Sequence, residues 1–411
     1  MFMGRVLGSI LLISGTAIGA GMLALPATTA DAGFVPTSII FVVIWAMTLA
    51  SSLLLLEVNL NLPSAKDMLS MAEVSLGRTG KIATWLSFLC LLYALTAAYI
   101  TGGAQWMGSA LSTLHLETHA NPISQLIAHS QAEFSAVLFT FILGLIIYLG
   151  THAVDGVNRF FMLLLGVSFV VIESIGLRAH TVHAHSISNF SAVWAAVPVI
   201  LTSFGFHPVI PTLTEYLKRD KRLLKRAIVI GSTIPLFIYI LWIGTVFNWL
   251  PTEALQTMSH AEDKLHVFIE LTTEYSSSPY LSVFLKAFSL AVLLTSFLGV
   301  AMSLFHFLED GLHHKVSHPI VVSFITFIPP LFFALKFPEG FVFALGFGGI
   351  FVAFLLGILP CLMAWRVRDT LKEKSVVFVP GGKSVLLLLI LLFLTVIVLE
   401  VYYAHLIPHL T

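Results

Sequence analysis

Long apolar runs separated by short polar segments dominate the chain. Eleven of these runs approach the roughly 20 residues that a helix needs to cross the hydrocarbon core of a membrane. They predict eleven transmembrane spans, numbered 1 to 11 in chain order: 6–29, 36–60, 82–112, 135–150, 158–177, 191–216, 227–249, 280–307, 318–335, 340–364 and 384–407. No segment between them has the composition of a soluble domain, so residues 1–411 are predicted to form a single all-α integral membrane domain.

Two of the predicted spans are interrupted by residues that break a helix. Span 1 contains the sequence GTAIGAG at 15–21, and span 6 contains SFGFHP at 203–208. Inside a bilayer, unwound backbone is tolerated only where protein or a water-filled cavity covers its polar groups. Interruptions at corresponding places in two halves of a chain indicate the binding site of a transporter.

The order of the spans predicts an internal repeat. Spans 1 and 6 open two successive groups of five, and an odd number of spans gives the two groups opposite orientations. We therefore expect a five-plus-five inverted repeat, about 6–177 and about 191–364, followed by an extra span at about 384–407. The polar stretch 250–279 between spans 7 and 8 is either a helical cap over the outer vestibule or an exposed loop.

The distribution of positive charge predicts the orientation. With the N-terminus in the cytoplasm, 17 of the 21 Lys and Arg residues lie in inner segments, as the positive-inside rule requires. Eleven spans then place the C-terminus in the periplasm. The formal net charge of zero predicts no nucleic-acid partner.

Other classes of membrane protein lack support in the sequence. An intramembrane enzyme would need a convergent catalytic set, and neither HExxH nor GxSxG occurs, so the chain is predicted not to be an enzyme. A channel would need repeated pore-lining charges or a filter motif. Cys90 and Cys361 lie in apolar stretches and are expected to be buried thiols rather than a disulfide.

The residues of the span 1 interruption fit two interpretations. Gly15, Gly19 and Gly21 would let backbone approach a ligand, and amides at the start of the following half-helix suit a carboxylate. The same glycine spacing also fits close packing against a neighbouring helix.

The span 6 interruption likewise leaves alternatives. Phe204 and Phe206 flank Gly205 and would line a pocket for an aromatic ligand, or else face lipid and neighbouring helices. His207 is either a functional group or a buried, hydrogen-bonded neutral imidazole.

Three stretches resemble a known family. The sequences GSILLISGTAIGAGMLALP at 8–26, SFGFH at 203–207 followed by Ile210 and Pro211, and LTSFLGVA at 294–301 are similar to the first, sixth and eighth helices of the bacterial aromatic amino acid permeases. This tyrosine- and tryptophan-specific group belongs to the hydroxy and aromatic amino acid permeases, and the likeness runs through all eleven spans. It implies the amino acid–polyamine–organocation architecture, shared with the leucine transporter fold, and proton-driven import of an aromatic amino acid.

The resemblance implies roles for residues of spans 1, 3 and 6. The implied substrate-binding set is Thr16, Ala17, Gly19, Gly21, Tyr99, Phe204, Gly205, Phe206 and His207. The span 1 members would hold the substrate's amino and carboxylate groups, and the span 6 members would shape the pocket for its side chain. On span 3 we expect Tyr99, rather than Tyr93, to close over the ligand.

The coupling ion is predicted less directly. The candidates are Thr295, Ser296, His207 and Glu57. Val292, Thr295 and Ser296 share one face of span 8, and a similarly spaced trio supports sodium in the wider fold. The alternative for these hydroxyls is a hydrogen bond to their own helix. The resemblance implies protons first, with sodium as the alternative. Span 5 departs from the related proton-coupled carriers, because it carries no lysine to stand in for sodium.

Three carboxylates lie near the ends of predicted spans. Glu57 is kept as a proton-relay candidate near the inner end of span 2. Glu173 and Glu400, near outer ends, are expected to be interfacial anchors. The histidines of the loop 178–190 have a spacing that could bind a metal, but a solvated loop is the preferred interpretation, and no metal or cofactor is predicted.

Together these features predict a secondary active importer of an aromatic L-amino acid, tyrosine first and tryptophan second. It would lie in the bacterial cytoplasmic (inner) membrane as a multi-pass protein, with the amino acid and lipid as partners and a monomer as a sufficient unit. Alternating access would rock spans 1, 2, 6 and 7 around a site at the midplane. The alternative is a sodium-coupled or hydroxy/neutral amino acid transporter of the same fold.

Overall fold

The computed structural model describes residues 2–114, 122–176, 189–275, 279–311, 318–371 and 375–406. Within these ranges the chain folds into helices joined by turns. The α-helices are α1 (Phe2–Ala17), α2 (Gly21–Thr29), α3 (Phe34–Asn61), α4 (Met68–Leu114), α5 (Pro122–Tyr148), α6 (Thr151–Gly176), α7 (Val197–Ser203), α8 (Ile210–Tyr216), α9 (Lys221–Trp249), α10 (Thr252–His260), α11 (Lys264–Glu274), α12 (Pro279–Gly311), α13 (Pro319–Lys336), α14 (Phe341–Val352), α15 (Leu359–Leu371) and α16 (Gly382–Leu406). Two 3₁₀ segments, Ala192–Ala196 and His207–Val209, and a π-helix, Ala353–Ile358, complete the set.

The predicted all-helical membrane fold is confirmed. In the described ranges, nine helices are long and apolar enough to cross a membrane, and the bent pair α1–α2 makes a tenth. A shorter apolar helix, Ala132–Tyr148, lies where span 4 was predicted. The total of eleven spans and the inverted repeat stay predictions.

Both predicted interruptions are present. In span 1, α1 ends at Ala17 and α2 begins at Gly21, with a bend of 52° between them. In span 6, α7 ends at Ser203, and α8 begins at Ile210 after a 3₁₀ turn that contains Pro208. Proline lacks the amide hydrogen that a continuous helix would use, and it disfavours helical backbone at the preceding residue.

The helices pack in two groups. In the first, named the bundle, α1 packs along α9, and α3 packs against α9, α7 and α8. In the second, named the scaffold, α4 and α12 pack against each other, and α5, α6 and α13 pack around them. Helix α14 contacts both groups through α4 and α7, and α16 packs outside it.

The stretch 250–279 contains a helical cap, which decides between the two interpretations offered by the sequence. Its helices α10 and α11 pack against each other and against α2. Leu265 and Phe268 of α11 are buried, and Phe268 lies 6.2 Å, centroid to centroid, from the ring of Trp242. The hydroxyl of Ser259 donates a hydrogen bond to Asp31 at 2.6 Å, which ties the cap to the outer end of span 1.

The inner ends of the helices are held by two turns with left-handed backbone. Gly77, at φ 77°, turns α4 from its first segment into span 3, and a side chain there would be strained. Arg219, at φ 58°, follows α8, and its guanidinium donates to the carbonyl of Asn59 at 2.6 Å. That contact satisfies a carbonyl at the C-terminus of α3, which the helix itself leaves free.

The prediction that Glu173 and Glu400 are interfacial anchors is wrong. Their side chains are 5% and 8% exposed because neighbouring helices approach closely beside glycines. A Cβ added at Gly346 of α14 would lie 2.7 Å from a carboxylate oxygen of Glu400. Cys361 is buried as expected, but Cys90 is exposed on the surface of α4. The histidine-rich loop lies outside the described residues.

Candidate functional site

The two interruptions lie against each other. Gly21, at the start of α2, faces Ser203, at the end of α7, and a Cβ added to the glycine would lie 2.9 Å from the serine Cβ. Real Cβ contacts are not that short, so glycine is required for this crossing. A Cβ added at Gly19 would lie 3.2 Å from the hydroxyl of Ser296 on α12. The break in span 1 therefore contacts span 6 on one side and the scaffold on the other.

Tyr239 of α9 links the two interruptions. Its side chain is fully buried, and its hydroxyl lies 2.7 Å from the carbonyl of Ala17 and 2.7 Å from the carbonyl of Ser203. Both carbonyls belong to helix C-termini, where intrahelical partners are missing. The ring of Phe204 packs edge-on against the tyrosine, with centroids 5.3 Å apart.

Trp242, one turn further along α9, makes a second contact of this kind. Its indole nitrogen donates to the carbonyl of Met22 in α2 at 2.8 Å. Sequence analysis missed both Tyr239 and Trp242. The available signal was a pair of aromatic residues with polar tips, three positions apart on one span, because such tips need a partner when they are buried.

Ser296 and Thr295 behave differently although they are neighbours. The hydroxyl of Ser296 accepts a hydrogen bond from the backbone amide of Ala20 at 3.0 Å. The hydroxyl of Thr295 donates to the carbonyl of Ala291, its own i−4 partner, at 2.8 Å. Of the two candidates for coupling, the structure brings Ser296 to the span 1 break and leaves Thr295 bonded within α12.

The aromatic side chains of the span 6 break are enclosed by protein. Phe204, Phe206 and His207 are fully buried. The His207 Nε2 lies 2.8 Å from the hydroxyl of Ser51 on α3, and its Nδ1 has no hydrogen-bond partner among the described residues. One imidazole nitrogen is thus paired with a hydroxyl that can donate or accept, while the other is buried without a partner among the described residues.

Tyr99 and Tyr93 are separated by their partners. The hydroxyl of Tyr93 donates to the carbonyl of Ile325 on α13 at 2.8 Å, a contact within the scaffold. Tyr99 is buried. Tyr93 is thus held within the scaffold, and the role of Tyr99 as the residue that closes over the ligand stays a prediction.

The remaining span 1 and span 6 candidates lie at the edge of this cluster. Thr16 is exposed, and its hydroxyl donates to the carbonyl of Leu12 within α1 at 2.7 Å. Gly205 is partly exposed, and a Cβ added there would lie 3.8 Å from Leu356, inside the π-helix of span 10. A π segment inside an α-helix frequently marks a functional site, and no pattern in the sequence indicates this one.

Glu57 is engaged elsewhere. One carboxylate oxygen accepts from the guanidinium of Arg368 on α15 at 2.6 Å, and the other accepts from the backbone amides of Phe378 and Val379. Its side chain is almost fully buried. Its partners lie in α15 and in the segment before α16, rather than at the two breaks.

The inner side of the site is accessible and the outer side is covered. Gly15 and Thr16 of α1 are exposed, as are Gly299, Ser303 and His306, which continue the face of α12 that carries the site serine. On the opposite side, which the sequence predicts to be outer, α2 is buried beneath α11 and the bundle. The two sides of the span 1 break therefore differ in exposure.

Comparisons with known proteins give relatives that match most of the chain. Tyrosine-specific transport system 2 of Haemophilus influenzae is 36% identical over 400 residues, covering 95% of each chain. The tryptophan-specific transport protein of Pseudomonas aeruginosa is 30% identical, covering 94% of this chain and 92% of its own. Glutamine transporter 2 of Aliivibrio fischeri is 29% identical, covering 97% and 99%.

These relatives are transport proteins, and the chain is a multi-pass membrane protein rather than an enzyme. The sequence model of the tryptophan/tyrosine permease family matches residues 3–400. The chain therefore belongs to the tryptophan/tyrosine permease family.

Proposed function

We propose that this protein imports an aromatic L-amino acid, tyrosine first and tryptophan second, by proton symport. The observation that carries the proposal is the meeting of two helix breaks beside aromatic side chains. Gly21 packs on Ser203, and the ring of Phe204 packs on Tyr239, whose hydroxyl reaches the carbonyls of Ala17 and Ser203. Relatives named for tyrosine and tryptophan transport support the same substrate class.

The substrate's charged groups match the chemistry of the breaks. The amides that open α2 at Gly21 carry partial positive charge and suit a carboxylate, whereas the carbonyls that end α1, near Thr16 and Ala17, suit an ammonium group. The aromatic side chain of the substrate would then lie towards Phe204 and Phe206, which gain by offset or edge-on contacts with another ring. The partly exposed Gly205 leaves room between them.

Alternating access would move the bundle against the scaffold. The exposed inner half of span 1 and the covered outer half of α2 are what an inward-facing carrier requires. The packing also supports an inverted repeat, because contacts between two spans have counterparts between the equivalent spans. Equivalent spans are 1 and 6, 2 and 7, 3 and 8, and 5 and 10. Span 1 packs on span 7 as span 6 packs on span 2, and span 5 packs on span 8 as span 10 packs on span 3.

Protons remain the first choice of coupling ion, with His207 as a candidate carrier because one of its ring nitrogens has no partner among the described residues. Sodium would need oxygen ligands, and Thr295 already bonds within its own helix. Glu57 would have to leave the guanidinium of Arg368 to carry a proton. We therefore rank His207 above Glu57.

The proposed setting is the bacterial inner membrane, with the N-terminus in the cytoplasm and the C-terminus in the periplasm. Seventeen of the 21 Lys and Arg residues then lie on the cytoplasmic side. An apolar groove of about 440 Å³ between α5 and α13 would take lipid chains. A single chain contains both breaks and is a sufficient unit.

One observation favours a second candidate. A relative named as a glutamine transporter is nearly as similar as the one named for tryptophan. The alternative is therefore import of a neutral amino acid through the same site, with protons or sodium.

The test is uptake of labelled tyrosine, tryptophan, phenylalanine, glutamine and serine into proteoliposomes under an imposed proton or sodium gradient. Accumulation of an aromatic amino acid driven by protons is the expected result. Accumulation driven only by sodium would reassign the coupling ion, and glutamine in place of the aromatics would favour the alternative. Saturable uptake, and accumulation of the amino acid against its own concentration gradient, would distinguish a carrier from a channel.

Selectivity tests the pocket. Phe204→Leu should lower the preference for tyrosine over glutamine, because an aromatic wall is lost while the apolar volume is nearly kept. Phe237→Leu, on the exposed face of the neighbouring α9, is the matched control and should leave selectivity unchanged. Unaltered selectivity in both variants would remove Phe204 from the pocket.

A further inference from the structure

Glu173 is a buried carboxyl group that has no counter-charge among the described residues. It lies on α6, one turn before the helix ends, and 5% of its surface is exposed. Its Oε2 lies 2.6 Å from the hydroxyl of Thr245 on α9. Its Oε1 has no hydrogen-bond partner among the described residues.

The surroundings of Glu173 are apolar. One turn earlier on α6, Phe169 packs against the rings of Trp242 and Phe288, with centroids 6.4 and 6.2 Å away. Three residues later, a Cβ added at Gly176 would lie 2.6 Å from the indole of Trp249, so α6 and α9 nearly touch.

The charged and titratable groups described on the neighbouring helices do not pair with Glu173. In the outer halves of the elements packed on α6 they are Tyr280 and Lys286 of α12 and Glu133 of α5, all exposed to the surroundings. Tyr239 of α9 is hydrogen-bonded to the two breaks. Among the described residues, the only hydrogen bond to the Glu173 carboxyl is therefore that of Thr245.

An ionised carboxylate in this position would be costly. Removing such a charge from water without a counter-ion costs several kcal/mol, and a single hydroxyl does not offset that. The neutral acid carries no such penalty and still shares a hydrogen bond with Thr245. Close packing of α6 on α9 thus requires Glu173 to be protonated.

The hydrogen bond between Glu173 and Thr245 crosses from the scaffold to the bundle at the outer side. We propose that Glu173 binds a proton from the outer medium and that this protonation closes the outer half of the carrier, with Thr245 as the partner that the neutral acid meets. When α9 leaves α6, the acid returns its proton to outer water and becomes a hydrated carboxylate. The inference rests on the proposed function, because it assumes that bundle and scaffold move relative to each other.

Helix α9 connects this contact to the substrate site. Tyr239, Trp242, Thr245 and Trp249 recur at intervals of three or four residues and share one face. Tyr239 holds both breaks, and Trp242 holds the carbonyl of Met22. A helix with these contacts moves as a unit, so outer closure set by Glu173 is transmitted to the breaks.

The first experiment measures exchange of labelled for unlabelled L-tyrosine in proteoliposomes without a driving gradient, at an outer pH between 6 and 8. The wild-type rate should fall as the outer pH rises, because the ionised acid opposes closure. Glu173→Gln is permanently neutral and should give one rate across the range, whereas Glu173→Asp should restore the dependence. Glu400→Gln, the matched control, alters a buried carboxyl that lies beside α14, away from the α6–α9 contact, and should keep the wild-type profile.

A second experiment does not depend on the substrate. The infrared spectrum of the purified protein should contain a carboxylic-acid carbonyl component that Glu173→Gln removes and Glu400→Gln leaves in place. Thr245→Val should shift the frequency of that component, because the hydrogen bond is lost. A wild-type pH profile in Glu173→Gln, or a spectrum unaltered by it, would overturn the inference. Absence of tyrosine exchange in the wild type with the infrared component present would instead count against the substrate assignment.

Discussion

The hydroxyl of Ser296 accepts a hydrogen bond from the backbone amide of Ala20 at 3.0 Å. Through it, α12 of the scaffold holds the interruption of span 1. Ser296→Ala should therefore slow transport, because an amide that is mostly buried loses its acceptor, at a cost of about 1–3 kcal/mol. Initial uptake rates check this. Thr295→Ala removes a hydroxyl that bonds only within its own helix and should have a smaller effect. Equal losses in both variants would contradict the assignment.

The contact between Gly21 and Ser203 predicts that transport tolerates no side chain larger than that of glycine at position 21. Gly21→Ala should abolish uptake while the protein still reaches the membrane, because the added methyl group has no room beside Ser203. Gly15→Ala is the matched control, since nothing lies within 4 Å of a Cβ at that position. Transport assays normalised to the amount of protein in the membrane distinguish the two. Retained uptake in Gly21→Ala would show that the breaks do not have to cross this closely.

Tyr239→Phe should impair transport severely without unfolding the bundle. The ring and its packing on Phe204 are kept, while two buried carbonyls lose their shared partner, at about 1–3 kcal/mol. The exposed Tyr402 of α16 provides the same substitution as a control that should be neutral. Uptake rates and thermal stability in detergent are the two measurements. Normal uptake with lowered stability would make Tyr239 a packing residue only.

The ion pair between Glu57 and Arg368 should matter for stability more than for coupling. Glu57→Gln leaves a largely buried guanidinium without its charge partner, and we expect a loss of about 3–5 kcal/mol. Asp369→Asn breaks the exposed pair with Lys383 and should cost less than about 1 kcal/mol. Thermal unfolding of the two variants tests the difference. Loss of proton coupling in a stable Glu57→Gln protein would restore this residue as a proton carrier.

The outer cap should respond to pH. Partial removal from water and the charges of Glu262 and Asp263 raise the pKa of Glu339, and burial raises the pKa of Asp263. A raised carboxyl pKa means that the folded contact favours the protonated acid. Its stabilisation is complete below the ordinary carboxyl pKa of about 4 and is lost as the pH rises through the raised values.

Hydrogen exchange of the α10–α11 amides, corrected for the intrinsic effect of pH, should therefore quicken as the pH rises above about 4. Glu339→Gln should weaken this dependence. Glu253→Gln, on the exposed first turn of α10, should not. A dependence that is the same in both variants would assign the effect to other groups.

The broken spans could be predicted because glycine and proline interrupt helices by local chemistry. A proline at 208 and a glycine cluster around 19 act through backbone geometry alone, so their effect is readable without knowing the neighbours. The roles of Tyr239 and Ser296 could not be read in this way. They depend on carbonyls and amides contributed by another span, and only tertiary packing brings these together.

The burial of carboxylates near span ends could not be predicted from the sequence, although the family could. Glu173 lies near the end of its span, where a charge usually reaches the interface, yet helix packing at Gly176 encloses it. For the same reason Glu57, equally close to a span end, acquires a guanidinium and two amides as partners. The position of a residue in the sequence gives its distance from the end of its helix. Whether its side chain reaches water depends on how closely the neighbouring helices pack around it.

The phenol of Tyr239 has one hydrogen to donate and two carbonyls within reach. At any instant one of the two carbonyls therefore lacks a donor. Because both distances are 2.7 Å, the phenol can donate its hydrogen to Ala17 or to Ser203. In the proposed binding mode, the ammonium group of the substrate would supply the missing donor. Ligand binding would thereby complete a three-way contact that the protein alone leaves one hydrogen short, so an occupied carrier holds its two broken spans together more firmly than an empty one.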